Sequence, residues 1–397
     1  MKRIHILTFI AAVALLSSLC GIFFYSQNYE SSPVSGKEIS ASENFSLENA
    51  REALSLCSLS YNSDELKALL EEKGFEEFEY FERAQDTSIG SGIAFGIAKK
   101  QEENHTVLWV VIRGTNKGEW YSNFQIGENT EHAGFSSASD YVLAKVQTYI
   151  DELEISKENI KLCITGHSRG GAVANICAKR LLDDNLFADV CTYTFACPNT
   201  TTALDAKDKQ YVCIYNIINP EDFICCIPLE SWGYTKYGTD IYLPEKGTDN
   251  YYELYENMEE RFFEIAKRKH RGYPDGDRDV DRFIENLSST AENVNDYYNK
   301  EITLFPTRVT LYEYMQSAAA LLSGENTLTN GMILLSGSTS PILSAVTDFI
   351  TQGISIEEMA ENTDLMSSAI GSAHSCETYT AWLQVLNDEY FTSYLPE

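Results

Sequence analysis

Five positions in this chain have the types and the order that acyl-transfer chemistry needs. The first is Ser168, in "ITGHSRGGAVAN", where Gly166, Ser168 and Gly170 form a Gly-x-Ser-x-Gly pattern. The pattern is short enough to arise by chance, so its flanks decide its meaning. The apolar run "KLCIT" precedes it and reads as a short buried strand. "SRGGAVANICAKRLLDD" follows, with Val173, Ile176, Cys177, Arg180 and Leu181 near helical spacing. A strand, a sharp turn and a helix in that order hold a serine on a strained turn, with its hydroxyl above the sheet edge. Side chains at Gly166 and Gly170 would collide with the neighbouring strand and helix. The alternative is a glycine-rich turn that only packs.

A serine hydroxyl is a weak nucleophile until a base takes its proton, and the base needs a carboxylate to orient it. In this type of sheet the chain order is serine, acid, histidine. "YVCIYNIINPEDF" supplies an acid just past a strand: Asp222, with Glu221 as the alternative, since Pro220 fixes the turn without choosing between them. Only His270 and His374 follow. His270 sits in "AKRKHRG", which reads as a solvent-facing basic helix end, where the helix dipole favours an imidazole. His374 sits in "SAIGSAHSCETYTAWL", where small residues lead into an apolar helix, as a loop approaching a crowded site requires. His374 is the better base. His105 and His132 precede the nucleophile and read as structural, and His167 reads as a packing residue. The developing oxyanion needs donors. The backbone N–H of Arg169 is one, at the positive end of its helix. Thr115, after the strand run "VVIRGT", offers a second N–H and its hydroxyl.

The elements that position these groups alternate. A helical face (Ala50, Leu54, Cys57, Tyr61) begins at Leu47, and an acidic helix follows near Asp64–Lys73. "SGIAFGIAKK" and "HTVLWVVIRGT" are strands, "ASDYVLAKVQTYIDEL" is a helix, and "DVCTYTFAC" and "QYVCIYNIIN" are further strands. The expectation is an α/β chain with a mostly parallel central sheet flanked by helices, and catalytic groups at the carboxyl ends of its strands. From about residue 240 to 372 the texture becomes acidic and helical, which predicts an insertion or cap before the final helix. The aromatic residues there read as helix packing or as an acyl-binding cap. "YPDGDRDVDRF" carries alternating aspartates, either a solvated acidic turn or a calcium loop with its glycine misplaced for an EF-hand.

Charge and the N-terminus bound the setting. The net charge of −29 repels phosphate backbones and anionic membrane surfaces, which excludes nucleic acid as a partner. Hydrophobic residues, at 44 %, suffice for a large core in 397 residues. Lys2 and Arg3 precede an apolar run over residues 4–25, read as a secretory signal peptide or a membrane signal anchor. Cys20 after "LSSL" resembles a lipoprotein box with a poor preceding residue. Residues 26–45 form a polar tether, and 46–397 the catalytic domain. The bulk of the chain is expected outside the cell, extracellular or surface-attached. The ten cysteines suggest disulfides in that compartment, yet Cys163, Cys177, Cys191 and Cys213 lie in apolar runs and read as small hydrophobes.

Taken together, "VVIRGTNKGEWYSNF", "EHAGF", "ITGHSRGGAVAN", "NIINPEDFICCIP" and "AHSCETYTAWL" resemble the class 3 lipase family of α/β-hydrolases. The resemblance covers roughly 47–235 plus the last twenty-five or so residues. It implies hydrolysis of triacylglycerol or other carboxylic esters through an acyl-enzyme, with no cofactor and no metal in the chemistry. By position it assigns Ser168 as nucleophile, Asp222 as acid, His374 as base, and Thr115 as the strand-loop oxyanion residue. Two departures stand out. Arg169 occupies a position that is commonly leucine in the family. It is expected either to pair with a carboxylate such as Glu119 or to favour an acidic substrate. The stretch between Asp222 and His374 is longer than the family pattern, as a cap that narrows the substrate range would require. The same machinery would serve a thioester or a peptide bond, and with the triad silent the scaffold would be an exported binding protein.

Overall fold

The computed structural model describes residues 45–85, 91–187, 189–273, 277–304, 307–322 and 369–392. Residues 4–25, with Cys20, lie outside them, as does most of the tether. No helix among the described residues is long and apolar enough to cross a membrane.

Helix α1 (Leu47–Leu59) is capped by the Ser46 side chain, which accepts from the Asn49 N–H, and α2 (Ser63–Glu72) is capped in the same way by Asn62. The sheet then runs β1 (Glu76–Arg83), β2 (Ile93–Gln101) and β3 (Thr106–Ile112), followed by a one-turn helix α3 (Trp120–Asn123) and the long α4 (Ala133–Leu153). Strand β4 (Ile160–His167), α5 (Arg169–Asp184), β5 (Asp189–Phe195), β6 (Ile214–Ile218) and β7 (Thr239–Tyr242) complete it. The seven strands lie in chain order, with β1 and β2 antiparallel and β3 to β7 parallel.

Strand β3, "TVLWVVI", is buried throughout, because helices cover both faces of the sheet. Its alternation divides the core. Leu108, Val110 and Ile112 face Phe135, Val142, Val173 and Ile176 of α4 and α5, while Val107, Trp109 and Val111 face the layer that holds α1. That second layer also contains Met258 and Phe262 of α6 (Tyr251–Ala266) and Tyr379, Trp382 and Leu383 of the last long helix, Cys376–Val385. Between these two helices come α7 (Asp277–Thr290), α8 (Val294–Asn299), β8 (Glu301–Leu304), β9 (Thr307–Thr310) and α9 (Leu311–Leu322). Helices α10 (Cys376–Val385) and α11 (Asp388–Phe391) close the described chain. This is the α/β-hydrolase arrangement.

Several expectations change here. Strand β1, "EEFEYFER", was not read from the sequence, because glutamates break its apolar run; it is an edge strand with one polar face. The sheet also has one strand more than expected: β7 pairs in parallel with β6 through Tyr215–Thr239 to Ile218–Tyr242, immediately before the inserted segment. Nor is that segment purely helical, since β8 and β9 form an antiparallel hairpin. The aspartate-rich stretch is a helix from Asp277 onward, not a loop, and Asp275 lies outside the described residues. Nine cysteines among the described residues are free, and Cys163 and Cys191 face one another across β4 and β5 in the core.

The inserted segment is fastened to the loops around the sheet's carboxyl edge. Trp232 donates from Nε1 to the Ala291 carbonyl (2.7 Å), the Tyr297 hydroxyl donates to the Phe124 carbonyl (2.9 Å), and the Gly127 N–H donates to the Tyr298 hydroxyl (2.7 Å). Its aromatic residues Tyr297 and Tyr314 pack with Trp232 and Ile126 in one cluster, so these rings serve packing.

Candidate active site

Ser168 sits between β4 and α5 with φ 56° and ψ −127°, a left-handed conformation that costs a non-glycine residue of order 1–3 kcal/mol. Its neighbours hold it there. A Cβ on Gly166 would lie 2.2 Å from the Gly170 carbonyl carbon and oxygen, and one on Gly170 would lie 2.2 Å from the Ile112 oxygen. Strand, turn and helix are thus in backbone contact. We expect Gly170→Ala to cost about 3 kcal/mol or more through overpacking against backbone that has no room to shift. Gly118→Ala, whose Cβ would meet nothing closer than 3.6 Å, should stay within about 1 kcal/mol. Equilibrium urea unfolding compares the two; equal losses would remove the steric argument.

Asp222 and His374 arrive from the ends of β6 and of the helical stretch 369–374. His374 Nδ1 lies 2.8 Å from Asp222 Oδ2, and His374 Nε2 lies 2.9 Å from Ser168 Oγ. A carboxylate only accepts, so Nδ1 carries the hydrogen and Nε2 of the neutral ring accepts from the serine hydroxyl. Asp222 and His374 are 1 % and 2 % exposed, while Ser168 is partly open. Asp222 Oδ1 also accepts the Ile224 N–H (3.1 Å). Glu221 is turned away, accepting from the Tyr251 hydroxyl (3.4 Å). His270 is buried at 8 % exposure against Phe262 and Tyr255, not solvent-facing as its basic neighbours suggested.

Three residues that the sequence reading gave no part in the chemistry complete the arrangement. The Tyr379 hydroxyl donates to Asp222 Oδ2 (2.9 Å) and accepts the Asn219 N–H (3.1 Å); burial pushes its ionisation well up, so it stays a donor. Tyr379 stands five residues after His374 on the apolar helix α10, a signal visible in sequence, although its burial is not. His167 places Nε2 2.8 Å from the His374 carbonyl oxygen, and burial, then the neighbouring His374, lower its pKa to about 3. It is a neutral donor that ties the Ser168 turn to the His374 backbone. Asn123 donates from Nδ2 to Thr115 Oγ1 (3.0 Å).

Thr115 lies three residues past β3, in a loop tightened by the buried pair Arg113–Glu119 (2.7 Å) and by the Asn116 N–H donating to Glu119 (2.6 Å). The direct partner of Glu119 is therefore Arg113, not Arg169. Arg169 is 1 % exposed, and its guanidinium donates to Asn123 Oδ1 (2.8 Å) and to the Gly92 carbonyl (2.8 Å) beside the Phe135 ring. Burial lowers its pKa to about 10, still charged at neutral pH. The N–H of Arg169 is the first of α5, where no carbonyl of that helix can reach it. Among the described residues, no group of three or more His, Cys, Asp or Glu is placed to hold a metal ion.

The segment that carries the elbow, the Thr115 loop and Asp222 matches one family model, that of lipase (class 3), over residues 105–232. A curated relative that this chain resembles is the secreted mono- and diacylglycerol lipase 1 of Fusarium solani, 27 % identical over 181 residues. That match covers 43 % of this chain and 52 % of the relative, so it spans about half the relative's length. Among solved structures, the lipase of Rhizopus microsporus var. chinensis is 17 % identical, with TM-score 0.40, covering 55 % of this chain and 87 % of that one. A fungal lipase in an inhibitor complex is 16 % identical, with TM-score 0.40 over 50 % and 80 % of the two chains.

Proposed function

We propose that this chain is an exported hydrolase of carboxylic esters, of acylglycerols or related lipids, working through an acyl-enzyme on Ser168. The observation that carries the reading is the unbroken line from Asp222 through His374 to Ser168, with contacts of 2.8 and 2.9 Å. In the first half-reaction Ser168 Oγ attacks the ester carbonyl as His374 Nε2 takes its proton. Asp222 holds the resulting imidazolium in place. The N–H groups of Thr115 and Arg169 receive the charge that develops on the carbonyl oxygen. The tetrahedral intermediate collapses as His374 returns the proton to the leaving alcohol. Water then enters and attacks the acyl carbon as His374 takes its proton, and the second tetrahedral intermediate collapses as His374 returns that proton to Ser168 Oγ, releasing the acid and restoring the free serine.

The secreted mono- and diacylglycerol lipase among the relatives supports both the substrate class and a location outside the cell. In this reading residues 1–25 are the signal or anchor, 26–45 the tether, and the segment between β7 and His374 a cap over the catalytic domain. The cap's ties to Phe124 and Gly127 put it beside the Thr115 loop, where it would limit acyl length. A fluorophosphonate probe tests the reading, since it bonds only to an activated serine. The expected result is stoichiometric labelling of the intact chain and none of Ser168→Ala. An unlabelled wild-type chain would instead make this a binding protein on a hydrolase scaffold.

A further inference from the structure

We infer that Asn219 and His167 are positioning residues that hang the backbone of the base from the turns of the acid and the nucleophile. The inference rests on the proposed ester-hydrolase reading and concerns what keeps His374 in line with its two partners. The helical stretch 369–374 ends at His374, and Ser375 at once caps α10. The last carbonyls of a helix have no partner within it. Here three in succession are taken by side chains. The Ser372 carbonyl accepts from the Ser375 hydroxyl (3.0 Å) and the Thr378 hydroxyl (2.6 Å), both close by in the chain. The next two are met from elsewhere. The Ala373 carbonyl accepts from Asn219 Nδ2 (2.9 Å), and the His374 carbonyl accepts from His167 Nε2 (2.8 Å). Asn219 directly follows β6 and precedes Asp222 in its turn, while His167 ends β4 and directly precedes Ser168.

The direction of each bond is fixed. A carbonyl only accepts, so the Asn219 amide turns its NH2 group to Ala373. Its side-chain oxygen then accepts the Glu221 N–H (3.2 Å), and its backbone carbonyl accepts the Asp222 N–H (2.8 Å). Its own N–H donates to the Tyr379 hydroxyl (3.1 Å), which in turn donates to Asp222. Asn219 is 4 % exposed, so these bonds meet little competition from water. One residue thus shapes the acid's turn and grips the base's backbone. By the same rule His167 Nε2 carries the hydrogen it gives to His374. Its ring is neutral, because burial, then the neighbouring His374, lowers its pKa to about 3. A neutral imidazole has one N–H, and this one is spent on the main chain of the base. The two donors come from different strands and act on successive peptide groups. Two such bonds fix the tilt of that backbone, where one would leave it free to pivot. The side-chain line from Asp222 through His374 to Ser168 is therefore doubled by a main-chain line from the same two turns.

His167→Phe removes the donor and keeps a ring edge-on to Tyr379. Asn219→Ser removes the donor to Ala373 and leaves a hydroxyl that can still accept the Glu221 N–H. For a short aryl ester and the full-length chain, each is expected to lower kcat by about 10- to 100-fold with KM unchanged, the scale of loss when a reacting group is misplaced by about 1 Å. His167→Gln, whose amide nitrogen can stand where Nε2 stands, should recover most of kcat. The deciding measurement removes the base. His374→Ala keeps a residual rate from oxyanion binding and substrate binding, and in that background neither change should lower the rate further, because both act only through His374. Thermal unfolding separates loss of fold from loss of rate, and the two changes lie on different turns, so one decides where the other fails to fold. Wild-type kcat in either folded variant would overturn the inference, as would no recovery in His167→Gln or a loss that persists in full without His374. A wild-type chain with neither turnover nor fluorophosphonate labelling would sink the Ser168 assignment instead.

Discussion

Replacing Asp222 with asparagine is expected to lower kcat by about 10⁴-fold, or about 5.5 kcal/mol of transition-state stabilisation, while Glu221→Gln stays within about threefold. Asparagine keeps the shape and changes the pattern of donors. In the native site Oδ2 receives hydrogens from His374 Nδ1, from the Tyr379 hydroxyl and, at 3.6 Å, from the Cys225 thiol, and Oδ1 receives one from the Ile224 N–H. A carboxamide cannot accept on both sides. With its oxygen toward Ile224, its NH2 faces these donors. His374 then relieves the conflict by moving its hydrogen to Nε2, where it meets Ser168 Oγ and can no longer take a proton. With the oxygen toward His374, the NH2 group opposes the Ile224 N–H and the turn loses its anchor. Glu221 accepts from the Tyr251 hydroxyl on α6. Steady-state rates on one short ester decide the matter: a silent Glu221→Gln beside an active Asp222→Asn would transfer the acid role.

How much of this was legible beforehand follows from how far each signal is local. Strand β3 is an almost continuous apolar run and β4 carries a short apolar stretch, and the elbow glycines are explained by backbone contacts that any strand–turn–helix junction of this kind must make. The fold class and the positions of Ser168 and Thr115 could therefore be read from the chain. Strand β1 was hidden by its glutamates. Strand β7, "TDIY", is too short to show a period, and its place is set by pairing with β6. Asp222 and Glu221 differ only in the direction the turn points them, which Pro220 does not encode and the packing of Tyr379 does. His270 shows the opposite failure. Its sequence neighbours are basic, but it is packed against Phe262 of α6, and such a contact depends on a fold rather than on a flank. Arg169 was visible as a departure, yet its partners lie 46 and 77 residues away. The charge announced that something must satisfy it and could not say what.

Those buried histidines also make stability depend on acid, and the size of the effect follows from their environments. Burial pushes the pKa of His132 and His167 down to about 3 and that of His270 to about 4. In the unfolded chain each returns to roughly 6.5. The unfolded state therefore binds protons first as pH falls, so the histidine contribution is full above about pH 6.5, is lost as pH drops through that value, and levels off near the folded values. Each group costs about 1.4 kcal/mol per pH unit within that window, and three together about 4, of a total stability of roughly 5–15 kcal/mol. The net charge of −29 works the other way, because protonating carboxylates relieves self-repulsion. Ordinary carboxylates titrate near pH 4, so between pH 6.5 and 5 the histidine slope governs. Urea unfolding at pH 7, 6 and 5 should show stability falling by several kcal/mol, and His270→Phe should reduce the slope by about a third. His270 is the group to change, because Nε2 is buried without a hydrogen-bond partner and the ring already lies edge-on to Phe262, so phenylalanine keeps the packing and removes the titration together with one bond, from Nδ1 to the Tyr255 hydroxyl, whose loss shifts stability equally at every pH and leaves the slope to report the titration. A flat profile, or a slope that His270→Phe leaves unchanged, would mean that water reaches these rings and that their burial is not maintained in solution.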